Sequence, residues 1–316
     1  MKKITYRITP TAFSFFTGGG GMDIGAKRAG VKILLGADYD KFPGIIHANN
    51  TKENNPGLAE EKQSQGIFLS GEEGDITKMK GAKIMKLNLT TGRIDLIFGG
   101  PPCPPFSIAN PFRGPFEKRA TLIFYMLRLI RQIKPKVVII EQVPQIKSPA
   151  IRPLWNKLVT VLDNMTDYYW DHEVLNAMHY GGRQNRKRRI FMLVDKSLGV
   201  KPSFPQPQPP DFTKVSAQAL LPHITHFSSG QGANVIHSAK NRMFLTITAG
   251  ASEWVYKGGE PRKLFLPEKQ ILTETEGMDY SGLTQTQANT AQGNMVSASL
   301  MDAICRHVIT HILKYA

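Results

Sequence analysis

The sequence predicts an α/β fold, and three observations carry that prediction. Short apolar runs recur through the first 195 residues, at 12–16, 32–37, 96–98 and 137–140, each long enough for a buried strand. Several of them stop abruptly at Gly, Pro or a carboxylate, and the carboxyl ends of strands are where open α/β sheets keep their chemistry. Apolar residues make up 41% of the 316 positions and charged residues 21%, the balance of a globular chain with a full core, enough for one large domain and a small one.

Residues 12–16 read as the first strand, followed by Thr17-Gly18-Gly19-Gly20-Gly21. Glycines there let the backbone turn tightly and approach a ligand, and the next helix aims free N–H groups at it. Residues 32–37 read as the second strand. Asp38 at its end is placed to bind a ribose hydroxyl pair. Gly74-Asp75-Ile76 ends a candidate third unit, with an ordinary turn aspartate as the alternative. The strand at 96–98 stops in Gly99-Gly100-Pro101-Pro102, which a central strand does not continue through, and Cys103 comes next. Residues 108–115, rich in Gly and Pro, form a candidate lid. Residues 119–133 follow a helical period, with Leu122, Tyr125, Met126 and Leu129 on one face and Arg128 and Arg131 off it.

The strand at 137–140 ends in Glu141-Gln142-Val143-Pro144, so two successive strands bring a thiol and a carboxyl to one rim. A helix at 151–162 and a strand at 169–175 lead to a basic stretch, Arg183-Gln184-Asn185-Arg186-Lys187-Arg188-Arg189. So dense a cluster is a solvated face or a phosphate contact, and Gln184, Arg186 and Arg188 share one face of an extended segment. From Asp195 the texture changes. Pro202, Pro205, Pro207, Pro209 and Pro210 mark a linker, and up to about residue 260 only 244–248 reads clearly as a strand. A helix at 299–313 closes the chain, with Cys305 as a small buried side chain on it.

A formal charge of +15 points to a polyanionic partner, nucleic acid first. No apolar run is long enough to span a bilayer and no signal-peptide pattern follows Met1-Lys2-Lys3, so an intracellular protein that is not secreted is expected, without membrane partners. Two distant cysteines make no disulfide framework, and no ligand spacing of Cys and His predicts a metal site.

Pro102-Cys103 followed by Phe106-Ser107, together with Glu141-Gln142-Val143, resembles the DNA (cytosine-5)-methyltransferases. The resemblance extends to Phe16-x-Gly18-x-Gly20-Gly21, to Gln184-x-Arg186-x-Arg188 and to Gly293-Asn294-Met295-Val296, in order from about Phe13 to His307. It implies a Rossmann-like S-adenosylmethionine-dependent methyltransferase domain with a small target-recognition domain. Residues 1–195 would form the catalytic and cofactor-binding part, 196–261 the recognition part, and 262–316 a return that packs the last helix beside the glycine loop. Cys103 is then the nucleophile and Glu141 the catalytic carboxyl, with Arg186 and Arg188 near the target base. S-adenosylmethionine, leaving as S-adenosylhomocysteine, would lie against Phe16, Gly18, Gly20, Gly21, Asp38, Asp75, Ile76, Leu122, Asn294 and Val296. DNA contacts fall to Ser107, Gln142, Arg183, Gln184, Arg186 and Lys187.

The chain departs from the family pattern at several places. Ser14 stands for the usual Asp, Gln142 for Asn, Arg183 for Pro and Phe265 for Thr. The expected Gln-Gly-Phe-Pro is absent, with Thr275-Glu276-Gly277-Met278 there instead, and Ser297 replaces a Pro, which predicts a less rigid final turn. The resemblance implies a DNA cytosine-5 methyltransferase that acts as a monomer on double-stranded DNA in the cytoplasm, at the nucleoid. It would flip its base and form a covalent Cys–C6 adduct, with a cognate restriction endonuclease as a candidate partner. A tRNA cytosine-5 methyltransferase and a catalytically silent DNA-binding regulator of the same fold are the alternatives. A nicotinamide-dependent oxidoreductase shares the glycine loop but leaves the cysteine turn unexplained.

Overall fold

The computed structural model describes residues 9–87, 89–90, 92–102, 118–228, 235–250, 253–257 and 260–315; Cys103, Ser107 and the candidate lid at 108–115 lie outside the described residues. From the first strand, β1 (Thr11–Phe15), helices and strands alternate: α1 (Gly21–Arg28), β2 (Lys32–Asp38), α2 (Lys41–Asn49), β3 (Ile67–Ser70), α3 (Gly81–Met85), β4 (Leu96–Gly99), α4 (Leu122–Ile133), β5 (Val137–Gln142) and α5 (Arg152–Asp163). Next come β6 (Tyr168–Asn176), the two-residue β7 (Gln184–Asn185) and β8 (Lys187–Asp195). Among the described residues, seven of these strands form one sheet in the order β3-β2-β1-β4-β5-β8-β6. Pairing is parallel from β3 through β5, then antiparallel on to β8 and β6.

The chain lays β2 and β3 to one side of β1, then returns to lay β4 and β5 on the other. The seam between β1 and β4 is therefore the switch point of the sheet, where ligand crevices open beyond the carboxyl ends of the strands. The central strands β1, β2, β4 and β5 are mostly apolar because both faces are covered. Phe13, Phe15, Ile97, Val138 and Ile140 share one cluster with Ile123, Leu127 and Ile130 of α4 and Leu154 and Leu158 of α5. Ala12, Leu96, Phe98, Val137 and Ile139 share the other with Met22 and Ala26 of α1.

Beyond the proline stretch the chain forms α6 (Phe212–Val215), α7 (Ala217–Leu220), β9 (His226–Ser228), β10 (His237–Ser238), β11 (Phe244–Leu245), β12 (Trp254–Lys257) and β13 (Glu260–Lys263). An antiparallel sheet of order β10-β9-β12-β13 holds a core of its own around Phe227, Phe244, Val255 and Leu264. The strand expected at 244–248 is shorter than the sequence suggested: only Phe244 and Leu245 pair, with β7. The N–H of Ile247 goes to the Gln184 side chain at 2.9 Å and that of Thr248 to Glu253 at 2.7 Å, so side chains take the bonds a ladder would have made. The small sheet also continues to Lys263, past the boundary expected at 261. α8 (Leu266–Thr273), α9 (Gln285–Asn294) and α10 (Ala298–His307) follow, and α10 runs on into a π-helical turn (Val308–Ile312) and a 3-10 turn (Leu313–Tyr315). α10 contributes Leu300, Met301, Ile304 and Cys305 to the cluster around α1, and Cys305 is fully buried as expected.

Candidate active site

The first wall of the switch-point cleft is set by the backbone after β1. Phe16 sits at φ 56°, in the left-handed region that a non-glycine residue seldom occupies, and Gly20 at φ 84° precedes α1. Gly21 answers a steric need: a Cβ there would lie 2.0 Å from the Val296 carbonyl oxygen, so the C-terminal turn can approach the loop only over glycine. Asp38 holds this wall together. It accepts the Gly18 N–H at 2.9 Å and the Asp40 N–H at 3.0 Å, and burial pushes its carboxyl up to about 6 against the pull of those two bonds. Ser14 does not leave the loop without a carboxylate: its hydroxyl donates to Asp23 at 2.6 Å, and burial raises Asp23 to about 6, opposed by that bond and by Lys27.

Asp75 forms the second wall. One of its oxygens accepts the Thr77 N–H at 2.9 Å and the Thr77 hydroxyl at 2.7 Å. The turn that follows is clamped from α4, where the Arg128 guanidinium donates to the carbonyls of Ile76 at 2.8 Å, Met79 at 2.7 Å and Thr77 at 3.2 Å. That role was not read from the sequence, which placed Arg128 only as a polar-face residue. Leu122, the first residue of α4, is half-buried on the same wall.

The third wall belongs to β5 and the basic segment. Glu141 is the fifth of the six buried residues of β5, and its carboxylate meets Arg188 Nε at 2.5 Å. Gln142 is buried beside it and donates from Nε2 to the Pro101 carbonyl at 2.5 Å, while its Oε1 has no partner among the described residues. Gln142 therefore ties the end of β5 to the turn that leads into Cys103. Arg186 is fully buried and donates to the carbonyls of Ile247 and Gly293, each at 3.0 Å. Burial, and then the Arg188 charge, pull its guanidinium well below its ordinary value, while Glu141 opposes them.

The walls enclose a cleft of about 1110 Å³ at the carboxyl edge of the sheet. Phe16, Gly18, Gly21 and Asp38 line one side, Asp75, Ile76 and Leu122 the next, and Glu141, Gln142, Arg186 and Arg188 the third. Asn294, exposed, and Val296, buried, close the fourth side; Gly20 is not on the lining. Tyr39 also lines the cleft and was missed, although an aromatic residue directly after a strand-end carboxylate was the available signal; its ring is 63% exposed, too open to be core. Among the described residues, no group of three or more His, Cys, Asp or Glu side chains is arranged to hold a metal ion.

Four residues expected at DNA are engaged inside the protein: Gln142 and Arg186 on the cleft wall, as described, and Gln184 and Arg183 off its lining. Gln184 is buried, with its amide donating to the Leu272 carbonyl at 2.9 Å and accepting from Ile247 N–H. Arg183 pairs with Glu276 and donates to the Ile271 carbonyl at 2.5 Å. The alternation of Gln184, Arg186 and Arg188 holds, but Gln184 and Arg186 turn inward, against β11, α8 and the end of α9, while Arg188 reaches Glu141 in the cleft; Lys187, of opposite parity, is exposed. The turn without its proline is also better fixed than expected. Ser297 accepts the Leu300 N–H at 3.3 Å as the cap of α10 and donates to Glu274 at 3.1 Å.

The chain was compared with known proteins. Residues 11–241 match the family model for C-5 cytosine-specific DNA methylases. Type II methyltransferase M.XorII of Xanthomonas oryzae is 29% identical over 199 residues, which is 63% of this chain and 43% of the relative. M.NgoPII of Neisseria gonorrhoeae is 32% identical over 194 residues, 61% of this chain and 50% of the relative. The matched region thus spans about half the length of these curated relatives. Among solved structures, a putative DNA modification methyltransferase encoded within an Escherichia coli prophage superposes with a TM-score of 0.69 at 19% identity, covering 96% of this chain and 99% of that one. A DNMT2 mutant of Spodoptera frugiperda does so with 0.63 at 13% identity, covering 93% and 97%. Both show the same fold. With the cleft at the switch point and a family match over most of its length, the chain belongs to the C-5 cytosine-specific DNA methylase family.

Proposed function

We propose that this protein transfers a methyl group from S-adenosylmethionine to C5 of cytosine in double-stranded DNA. The observation that carries the reading is the convergence on one cleft of Asp38, Asp75 and Glu141, beside the Pro101-Pro102 turn that immediately precedes Cys103. The cleft fits the S-adenosyl group. Asp38 is a desolvated carboxylate, already oriented by two backbone N–H groups, and stands beside an exposed aromatic ring and the aliphatic Leu122. Asp38, Tyr39, Asp75 and Leu122 would hold it, and when bound it supplies a methyl group on a sulfonium centre.

The remaining work falls to the chain. Cytosine C5 is too electron-poor to take a methyl group directly. In this reading the Cys103 thiolate adds to C6, which makes C5 nucleophilic and splits one difficult step into two. Glu141, oriented by Arg188, presents a hydrogen bond at cytosine N3 as charge develops in the ring. After transfer a base takes the C5 proton and the Cys103 sulfur leaves. The cytosine has to be flipped out of the stack, at a cost of a few kcal/mol. The basic excess, with Lys187 exposed beside the cleft wall, would offset that cost through phosphate contacts. Residues 196–261 are assigned to target recognition, and intracellular action as a monomer, with a cognate restriction endonuclease as partner, belongs to the same reading.

Incubation of the protein with S-adenosylmethionine labelled in its methyl group, against duplex DNA and against tRNA, tests the proposal. Label at C5 of cytosine in the duplex is the expected result; label confined to tRNA moves the substrate class to RNA, and label in neither removes the activity.

A further inference from the structure

Glu274, the residue before the departure from the family pattern at 275–278, meets another departure, Ser297, in one buried contact. Glu274 follows α8 at φ 65°, a backbone conformation that suits glycine, and its side chain is buried. Its carboxylate accepts the Arg28 guanidinium at 2.7 Å, the Ser297 hydroxyl at 3.1 Å, the Ser299 hydroxyl at 2.5 Å and the Ser299 N–H at 3.4 Å. Arg28 is the last residue of α1, the helix that leaves the glycine loop. Ser297 directly follows Val296, whose carbonyl closes over Gly21. One carboxylate thus joins the two segments that meet at the cofactor wall. A non-glycine residue persists in such a conformation only where its surroundings over-determine it, and such residues gather at functional sites.

We propose that Glu274 is a positioning residue. It fixes the Asn294–Val296 turn against the glycine loop and so sets the affinity of the cleft for the S-adenosyl ligand without touching it. The inference rests on the reading of this cleft as an S-adenosylmethionine site. Asn294 and Val296 line the cleft, whereas Glu274 does not.

The test is calorimetric titration of S-adenosylhomocysteine into the full chain, with duplex-DNA affinity measured in parallel by anisotropy. Glu274→Gly relieves the backbone strain while removing the carboxylate, so it separates positioning from simple capping. Its S-adenosylhomocysteine Kd is expected to rise about tenfold, the effect of losing charge-assisted bonds, with DNA affinity unchanged. Should that variant fail to fold, Ser299→Ala removes one donor alone and is expected to raise the Kd about threefold to fivefold. An unchanged Kd in either folded variant, or an equal loss of DNA binding, overturns the inference while the cofactor reading stands. A wild-type chain that binds no S-adenosylhomocysteine overturns the cofactor reading, and the inference with it.

Discussion

The two long walls of the cleft are held by different means. On the cofactor wall, Asp38 and Asp75 are fixed by donors close to them along the chain or in the adjoining loop: Gly18, Asp40 and Thr77. On the transfer wall, Glu141, Gln142 and Arg186 are fixed by partners 41 to 107 residues away, among them Pro101, Ile247 and Gly293. The two carboxylates of the first wall are therefore oriented largely by local backbone geometry, while Arg128 and Val296 brace the turn and loop that carry them. The second exists only once the sheet, the segment behind the small sheet and α9 have come together. Substitutions on the first should change ligand affinity alone, and those on the second should change the rate of transfer.

The largest separation is expected at Glu141. Glu141→Gln keeps the shape of the side chain but removes its charge and its capacity to exchange a proton, which should lower single-turnover methylation by about 10²–10⁴-fold. S-adenosylhomocysteine affinity should stay within error in the same variant. A comparable loss of ligand affinity would mean that the two walls are one unit.

Asp38→Ala is the counterpart. Loss of charge-assisted bonds to the ribose should weaken S-adenosylhomocysteine binding by about 1.5–3 kcal/mol, with the rate at saturating cofactor nearly kept. The pH dependence has a definite sign. The ionised carboxylate is the form that accepts ribose hydroxyls, and its folded value lies near 6, so wild-type affinity should fall as pH drops through about 6. Titrations across that range should give a flat profile for Asp38→Asn.

Gln142→Asn refines the transfer side. The shorter amide cannot span to the Pro101 carbonyl that Gln142 reaches, so the turn before Cys103 loses a restraint. Loss of one neutral hydrogen bond, about 1 kcal/mol, gives roughly a fivefold drop in the single-turnover rate. Faster transfer by the Asn variant would show that Gln142 hinders the site, and would favour the silent-regulator alternative.

The smallest effect concerns stability. Asp23 has a folded value raised from 3.8 to about 6, so the stability it contributes is fully present below about pH 3.8 and is lost as pH rises through 6. Asp23→Asn, neutral throughout, still accepts the Ser14 hydroxyl. It should raise Tm at pH 7 by about 1.5 °C for each kcal/mol of relief, and the difference should vanish below pH 4.

The contrast between the walls also explains what could be read beforehand. β1, β2, β4 and β5 were legible because a strand buried on both faces leaves an unbroken apolar run, and Asp38 and Glu141 because each stands at the end of such a run. The small sheet was not legible. Its strands are two to four residues long and mix His, Ser, Lys and Pro with few apolar residues outside 254–256, too short to establish a period. Alternation correctly grouped Gln184 with Arg186 and Arg188, but a period of two cannot say which face turns inward. Only the fold shows that Gln184 and Arg183 serve α8 and the segment after it. The hold of Glu274 on Ser297 was hidden for the same reason, since Glu274 is distant in sequence and reaches it only through the tertiary structure, whereas the Ser297 cap of α10 is a local bond.

The covalent step can be tested on the protein directly. Duplex DNA carrying 5-fluorocytosine, incubated with the protein and S-adenosylmethionine, should trap an adduct, because the fluorine at C5 cannot leave as a proton does. Intact-mass and peptide mapping are expected to place the DNA on Cys103, with no adduct in Cys103→Ser. A Cys103→Ser variant that still traps the DNA, or a wild-type protein that methylates cytosine C5 yet forms no adduct, would contradict the assignment of Cys103 as the nucleophile.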